Sequence, residues 1–134
     1  MLLTVLFFIL PLLTQVAFCG VEKVIELNPQ SLSKLEDLSK TTNVTLLVLF
    51  YAPWCYYSKK VLPVYDQAAA LLPARNPQLY LVKIDASKYK ADLKSYKIGG
   101  YPTIVYLING TRHKYTGDRS VEDLSDFVEK VRRK

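Results

Sequence analysis

The apolar positions along this chain fall into two rhythms. Thr45 to Tyr51 is an unbroken run of strand-forming residues that stops abruptly at Ala52-Pro53, the pattern of a central strand buried on both faces. Val24 to Leu27, Leu79 to Ile84 and Thr103 to Ile108 are further strand candidates. The last leads into Asn109-Gly110, a pair that readily supplies the positive backbone angles of a two-residue turn, so His113 to Thr116 is expected to return as the second arm of a hairpin.

Between the strands the spacing becomes helical. Asn28-Pro29 offers a cap and a first-turn proline for a helix to about Ser39, with Leu32, Leu35 and Leu38 recurring along it. Cys55 to Leu72 continues the pattern, with a kink expected at Pro63. Lys88 to Tyr96 reads as a short helix and Gly99-Gly100-Tyr101-Pro102 as a tight loop. Ser120 caps a final helix on which Val121, Leu124, Phe127, Val128 and Val131 share a face. This order of elements predicts an α/β fold with a mixed sheet.

The first residues break the alternation. From Leu2 to about Ala17 runs an apolar stretch interrupted by Pro11, Thr14 and Gln15, and it ends in Ala17-Phe18-Cys19 before Gly20. It reads as a secretory signal peptide, residues 1–19, ahead of one domain, residues 20–134. The run is shorter than the roughly 20 apolar residues a membrane-spanning helix prefers, so no stable span is expected after cleavage. Cleavage there would remove Cys19, leave Cys55 as the only thiol, and so exclude an intramolecular disulfide.

Charge narrows the function classes. The formal net charge of +6 lies wholly beyond residue 19, but the Lys and Arg residues are spread along the chain rather than gathered with stacking aromatics, so no nucleic-acid partner is expected. The terminal Arg132-Arg133-Lys134 run is a solvated helix end. Without clustered Cys and His no metal site is expected, and no cofactor is implied. Asn43-Val44-Thr45 and Asn109-Gly110-Thr111 are glycosylation sequons, with Asn109 at the hairpin tip the more accessible acceptor.

The chemistry concentrates in Phe50-Tyr51-Ala52-Pro53-Trp54-Cys55-Tyr56-Tyr57-Ser58-Lys59. It places a cysteine where a buried strand ends and a helix begins. Unpaired amides and the helix dipole there favour thiolate, the species that attacks disulfides, and Lys59 and Lys60 add positive charge. Trp54, Tyr56, Tyr57 and Tyr101 would surround the thiol as an apolar platform for unfolded or cysteine-bearing peptides. Ser58 has no base partner and is read as a solvent-contacting helix residue, and His113 as an exposed strand histidine.

This segment, together with Pro63 and Tyr65, Lys83-Ile84-Asp85-Ala86, Gly100-Tyr101-Pro102-Thr103, and Tyr115-Thr116-Gly117 with Arg119, resembles the protein disulfide isomerase branch of the thioredoxin family. The resemblance implies a thioredoxin-like fold, a central mixed β-sheet flanked by helices on both faces. It also implies a cis Pro102 against the active cysteine, Tyr101 offering backbone groups to a bound peptide, and a modulating role for Arg119.

Three departures from the family pattern bear on function. Ser58 replaces the resolving thiol of Cys-Gly-His-Cys, Tyr57 replaces its histidine, and Leu49 stands where a buried glutamate usually accepts the second thiol's proton. Storage of an internal disulfide and release of a trapped substrate should both be absent. Lys83, which in the family pairs with that glutamate, is expected either to snorkel to solvent or to point toward the site. Two readings follow: a monothiol disulfide isomerase-like catalyst, or a non-catalytic module that retains or chaperones clients, as the family's Cys-x-x-Ser retention member does. The expected partners are unfolded or cysteine-containing secretory polypeptides held through mixed disulfides. The expected place is the endoplasmic reticulum lumen or outside the cell, since the chain ends Val131-Arg132-Arg133-Lys134 with no Lys-Asp-Glu-Leu type signal.

Overall fold

In the computed structural model, residues 24–134 are described, so the expected signal peptide and Cys19 lie outside the described residues. The elements run β1 (Val24–Glu26), α1 (Pro29–Thr41), β2 (Thr45–Tyr51), α2 (Tyr56–Arg75), β3 (Leu79–Asp85), β4 (Thr103–Ile108), β5 (Thr111–Lys114) and α3 (Val121–Arg132). β2 is buried from Thr45 to Phe50, and its side chains leave alternately by opposite faces. Leu47 and Leu49 enter one core with Val61, Tyr65, Ala68 and Leu72 of α2 and Leu124 and Val128 of α3. Leu46, Val48 and Phe50 enter a second core with Leu32 of α1. A strand apolar on both faces requires cover on both, which the helices supply.

The sheet order is β1-β3-β2-β4-β5. β3 lies parallel between β1 and β2, while β4 runs antiparallel to both β2 and β5. Ile108 pairs with Thr111, and Asn109 and Gly110 between them take φ of 51° and 73°, the two-residue turn that Asn-Gly favours. The α/β expectation, with a mixed sheet and helices on both faces, therefore holds. Three local readings do not. β5 begins at Thr111 rather than His113, because the tight turn starts pairing at once, and His113 is half-buried rather than exposed.

Lys88 to Tyr96 is a chain of turns closing in a single 3-10 turn, Lys94–Tyr96, instead of a helix. The Asp85 carboxylate accepts from the amides of Ser87 and Lys88 at 3.1 and 3.2 Å, which satisfies those donors in a turn. Tyr89, Leu93 and Tyr96 nevertheless turn toward the second core. α2 runs unbroken to Arg75 through both Pro63 and Pro73. Tyr65 fixes it to the sheet, its buried hydroxyl lying against the carbonyls of Leu47 and, at 2.9 Å, Val82.

The 3-10 turn is anchored by a cluster drawn from three parts of the chain. Arg112 on β5 donates to both carboxylate oxygens of Glu36 on α1 at 2.8 and 3.0 Å, and to the Ser95 carbonyl at 3.0 Å. Its guanidinium stacks 3.7 Å from the Tyr96 ring centroid, and Tyr96 donates to Glu36 at 2.5 Å. Burial alone would raise the Glu36 pKa, but the bonds and charge from Arg112, with Tyr96, hold it below the ordinary carboxylate value. Its folded value thus lies below its unfolded one. The stabilisation is complete above the unfolded value of about 4.3 and is lost as pH falls through the lowered folded value. Arg112→Ala should cost about 1–3 kcal/mol at neutral pH. In urea titrations the gap from the parent chain should narrow below pH of about 4.3.

Candidate functional site

The corner between β2 and α2 places the thiol. Ala52 is buried at the end of β2, its carbonyl accepting from the Cys55 amide at 3.0 Å and its amide donating to the Ser58 hydroxyl at 3.1 Å. Cys55 occupies the N-cap position of α2 with extended backbone, and its carbonyl accepts from Lys59 at 3.0 Å. The sulfur therefore stands over the first turn of a helix at the carboxyl end of a central strand, where α/β sheets commonly carry their sites. Cys55 is a free, partly exposed thiol.

Its thiol lies 3.6 Å from the Tyr101 carbonyl, toward which the S–H is directed. The Tyr101–Pro102 peptide bond is cis, as the resemblance implies, and Pro102 is buried. The thiolate form meets a different set of partners. The Cys55 pKa is lowered, chiefly by the Ser58 amide; desolvation opposes this and is outweighed with help from the Ser58 hydroxyl, the Tyr57 amide and the charge of Arg119. Arg119 follows a turn in which the Tyr115 hydroxyl bonds to the Asp118 carbonyl, with Gly117 packed close under the Tyr115 ring.

Ser58 is thus corrected from a solvent-contacting residue to a fully buried one. It sits on the same stripe as Val61, Tyr65, Ala68, Ala69 and Leu72, so extending that stripe backward by three residues would have placed it inside. With its oxygen engaged by Ala52, its hydroxyl proton is free for the sulfur. The cation whose charge most helps to lower the Cys55 pKa is Arg119. Lys60 lies 4.7 Å from the Tyr56 ring centroid.

Leu49 is completely buried beside α2, opposite Lys83 on β3 and Ile104 on β4. Lys83 turns to Glu26 on β1, 3.9 Å away, and Tyr51 donates to the other oxygen of that carboxylate at 2.8 Å. It is therefore the first of its two expected arrangements, near solvent, with a carboxylate partner the sequence reading missed. Around the thiol, Trp54, Tyr56 and Tyr57 are 66%, 62% and 60% exposed, an unusual outlay of aromatic surface on one corner. Trp54 meets Tyr101 edge-on at 5.8 Å, and Tyr56 meets Tyr57 at 5.5 Å. Asn43 and Asn109 are both exposed, but Thr45 of the first sequon is buried in β2 while Thr111 of the second is exposed. Among the described residues no three His, Cys, Asp or Glu side chains converge as metal ligands, and no helix is long and apolar enough to cross a membrane.

Known proteins are similar to this chain in sequence and fold. The family model described as Thioredoxin matches residues 23–130. Protein disulfide-isomerase 1 of Caenorhabditis elegans is 42% identical over 88 residues, covering 66% of this chain and 18% of that protein. Protein disulfide-isomerase A2 of Mus musculus is 33% identical over 108 residues, 78% of this chain and 20% of that protein. The chain thus spans about a fifth of the length of these relatives. Among solved structures, the first thioredoxin domain of mouse protein disulfide-isomerase A4 superposes with a TM-score of 0.70 at 31% identity, covering 84% of this chain and 77% of that one. Human ERp44 form I gives 0.70 at 25% identity, covering 83% of this chain and 30% of that one.

The geometry sets an order of effects on the thiol. Alkylation of Cys55 followed across pH should give a midpoint below the free-thiol value of about 8.5. Ser58→Ala and Arg119→Ala should each move it upward, whereas Lys83→Met, directed away toward Glu26, should leave it in place.

Proposed function

The chain belongs to the thioredoxin family, with protein disulfide isomerases among its relatives, and we propose that it performs thiol–disulfide exchange with Cys55 as its single nucleophile. The observation that carries this is the Ser58 position. Where exchange within one site needs a second sulfur, this chain has a hydroxyl that can donate to a thiolate but cannot accept one in a bond. The Cys55 thiolate attacks one sulfur of a client disulfide, forming a mixed disulfide and releasing the other client sulfur as thiolate. A client thiolate then attacks the mixed disulfide, leaves the client with a new disulfide, and returns Cys55 as thiolate. No electrons are gained or lost overall. Leu49 fits the same reading, because there is no second thiol to deprotonate and hence no use for a buried base.

The clients this reading implies are unfolded secretory polypeptides that rest apolar segments on Trp54, Tyr56, Tyr57 and Tyr101 in the endoplasmic reticulum lumen or beyond it. One observation favours a second reading, client retention. With no resolving sulfur beside Cys55, a mixed disulfide lasts until an external thiol arrives. The two readings separate on turnover. Exchange predicts many equivalents of scrambled substrate rearranged per chain in a thiol buffer, and retention predicts one client per chain on a non-reducing gel. Both effects should vanish in Cys55→Ala, and persistence there would overturn the thiol mechanism altogether. Ser58→Cys should give Cys55 an internal disulfide partner, visible as protection from alkylation until reduced, and should shorten the life of trapped clients.

A further inference from the structure

A cavity of about 420 Å³ is lined by the turn-rich segment between β3 and β4, from Ala86 to Tyr101. Its apolar lining comes from Ala86, Leu93 and Ile98, and Lys90, Lys94 and Lys97 line it as well. All three lysines are exposed, and among the described residues none of them is ion-paired. Among the described residues no acidic side chain lines the cavity, since Asp92 in the same turn does not reach it and Asp85 is held by Ser87 and Lys88. Lys97 keeps a left-handed backbone, φ 51°, at the end of the 3-10 turn, a place where glycine or asparagine is the comfortable residue. Tyr101 completes the lining, and its carbonyl is the group toward which the Cys55 thiol points, so this one residue joins the cavity to the reactive corner. Gly99 and Gly100 leave the wall between them bare, with nothing within 4 Å of a side chain built at either position.

We propose that this cavity is a specificity subsite that receives acidic residues flanking the client cysteine, so that Cys55 selects clients with Asp or Glu close to the reacting sulfur. The proposal rests on the exchange reading given above. Charge complementarity names the occupant: three unpaired ammonium groups around an apolar floor match an acidic peptide, with its aliphatic stems on Leu93 and Ile98, and repel a basic one. The clamp of Arg112 on Glu36, Ser95 and Tyr96 holds the lysine-bearing turn in place before a client arrives, so little ordering is required on binding.

The test uses single-cysteine peptides activated as mixed disulfides with thionitrobenzoate, identical except for Asp or Lys residues flanking the cysteine. The Cys55 thiolate attacks the peptide sulfur, a peptide–Cys55 disulfide forms, and thionitrobenzoate leaves with the electron pair and is read by its colour. The Asp peptide should react about tenfold faster than the Lys peptide at low salt, and the ratio should shrink as salt rises. Combined Lys90→Glu, Lys94→Glu and Lys97→Glu should invert the preference. Lys94→Gln alone should reduce it by a part, which keeps the test open should the triple variant fold poorly. An unchanged ratio in these variants, or no acidic preference in the parent chain, would overturn the subsite while leaving exchange at Cys55 intact. Failure of Cys55 to react with either peptide would instead remove the exchange reading on which it rests.

Discussion

Everything at the thiol depends on two hydrogen bonds made by one buried residue. Ala52 ends the central strand, accepts from the Cys55 amide and donates to the Ser58 hydroxyl, and so locks strand end, corner and first helical turn into one rigid unit. An unpaired amide buried at that corner would cost on the order of 1–3 kcal/mol, so the Ser58 oxygen is needed there whatever its effect on the sulfur. The same bond points the hydroxyl proton away from Ala52. One small side chain thereby serves the fold and the reactivity of Cys55 together.

Charge around the site follows from this economy. A carboxylate at position 49 would be buried between Lys83 and Ile104 against the α2 core at a cost in desolvation, whereas leucine fills that space with apolar contacts. Lys83 then has its negative partner one strand further out, at Glu26 on the edge strand β1, in a loose and partly solvated pairing that contributes little to stability. The result is a thiol met by amide and hydroxyl donors and the Arg119 cation. Nucleophilic character is retained while the means of proton removal from a neighbouring thiol is gone.

How much of this was legible in the sequence differs element by element. β2 and β4 were plain, since their unbroken apolar runs have no alternative that buries both faces. The Asn109-Gly110 turn was equally plain because its backbone angles suit few other pairs. Lys88 to Tyr96 misled because Tyr89, Leu93 and Tyr96 have helical spacing and do reach the core, but the Asp85 side chain captures the amides that would start a helix. The Arg112–Glu36 pairing joins residues 76 positions apart and leaves no local periodicity to read. The inward position of Ser58 was present in the pattern but masked by its polarity, which suggested solvent.

The direction of β2 divides the molecule in a way that concerns access. Asn43 precedes this strand and Cys55 follows it, and β4, running the other way, carries the chain from Pro102 beside the thiol to Asn109 at the far hairpin tip. Both sequons therefore lie at the pole opposite the reactive sulfur, separated from it by the length of a seven-residue strand, about 23 Å. Carbohydrate attached at either asparagine would extend from that opposite pole. Such a chain could be sheathed in sugar at one pole and still present a bare, aromatic, reactive face at the other.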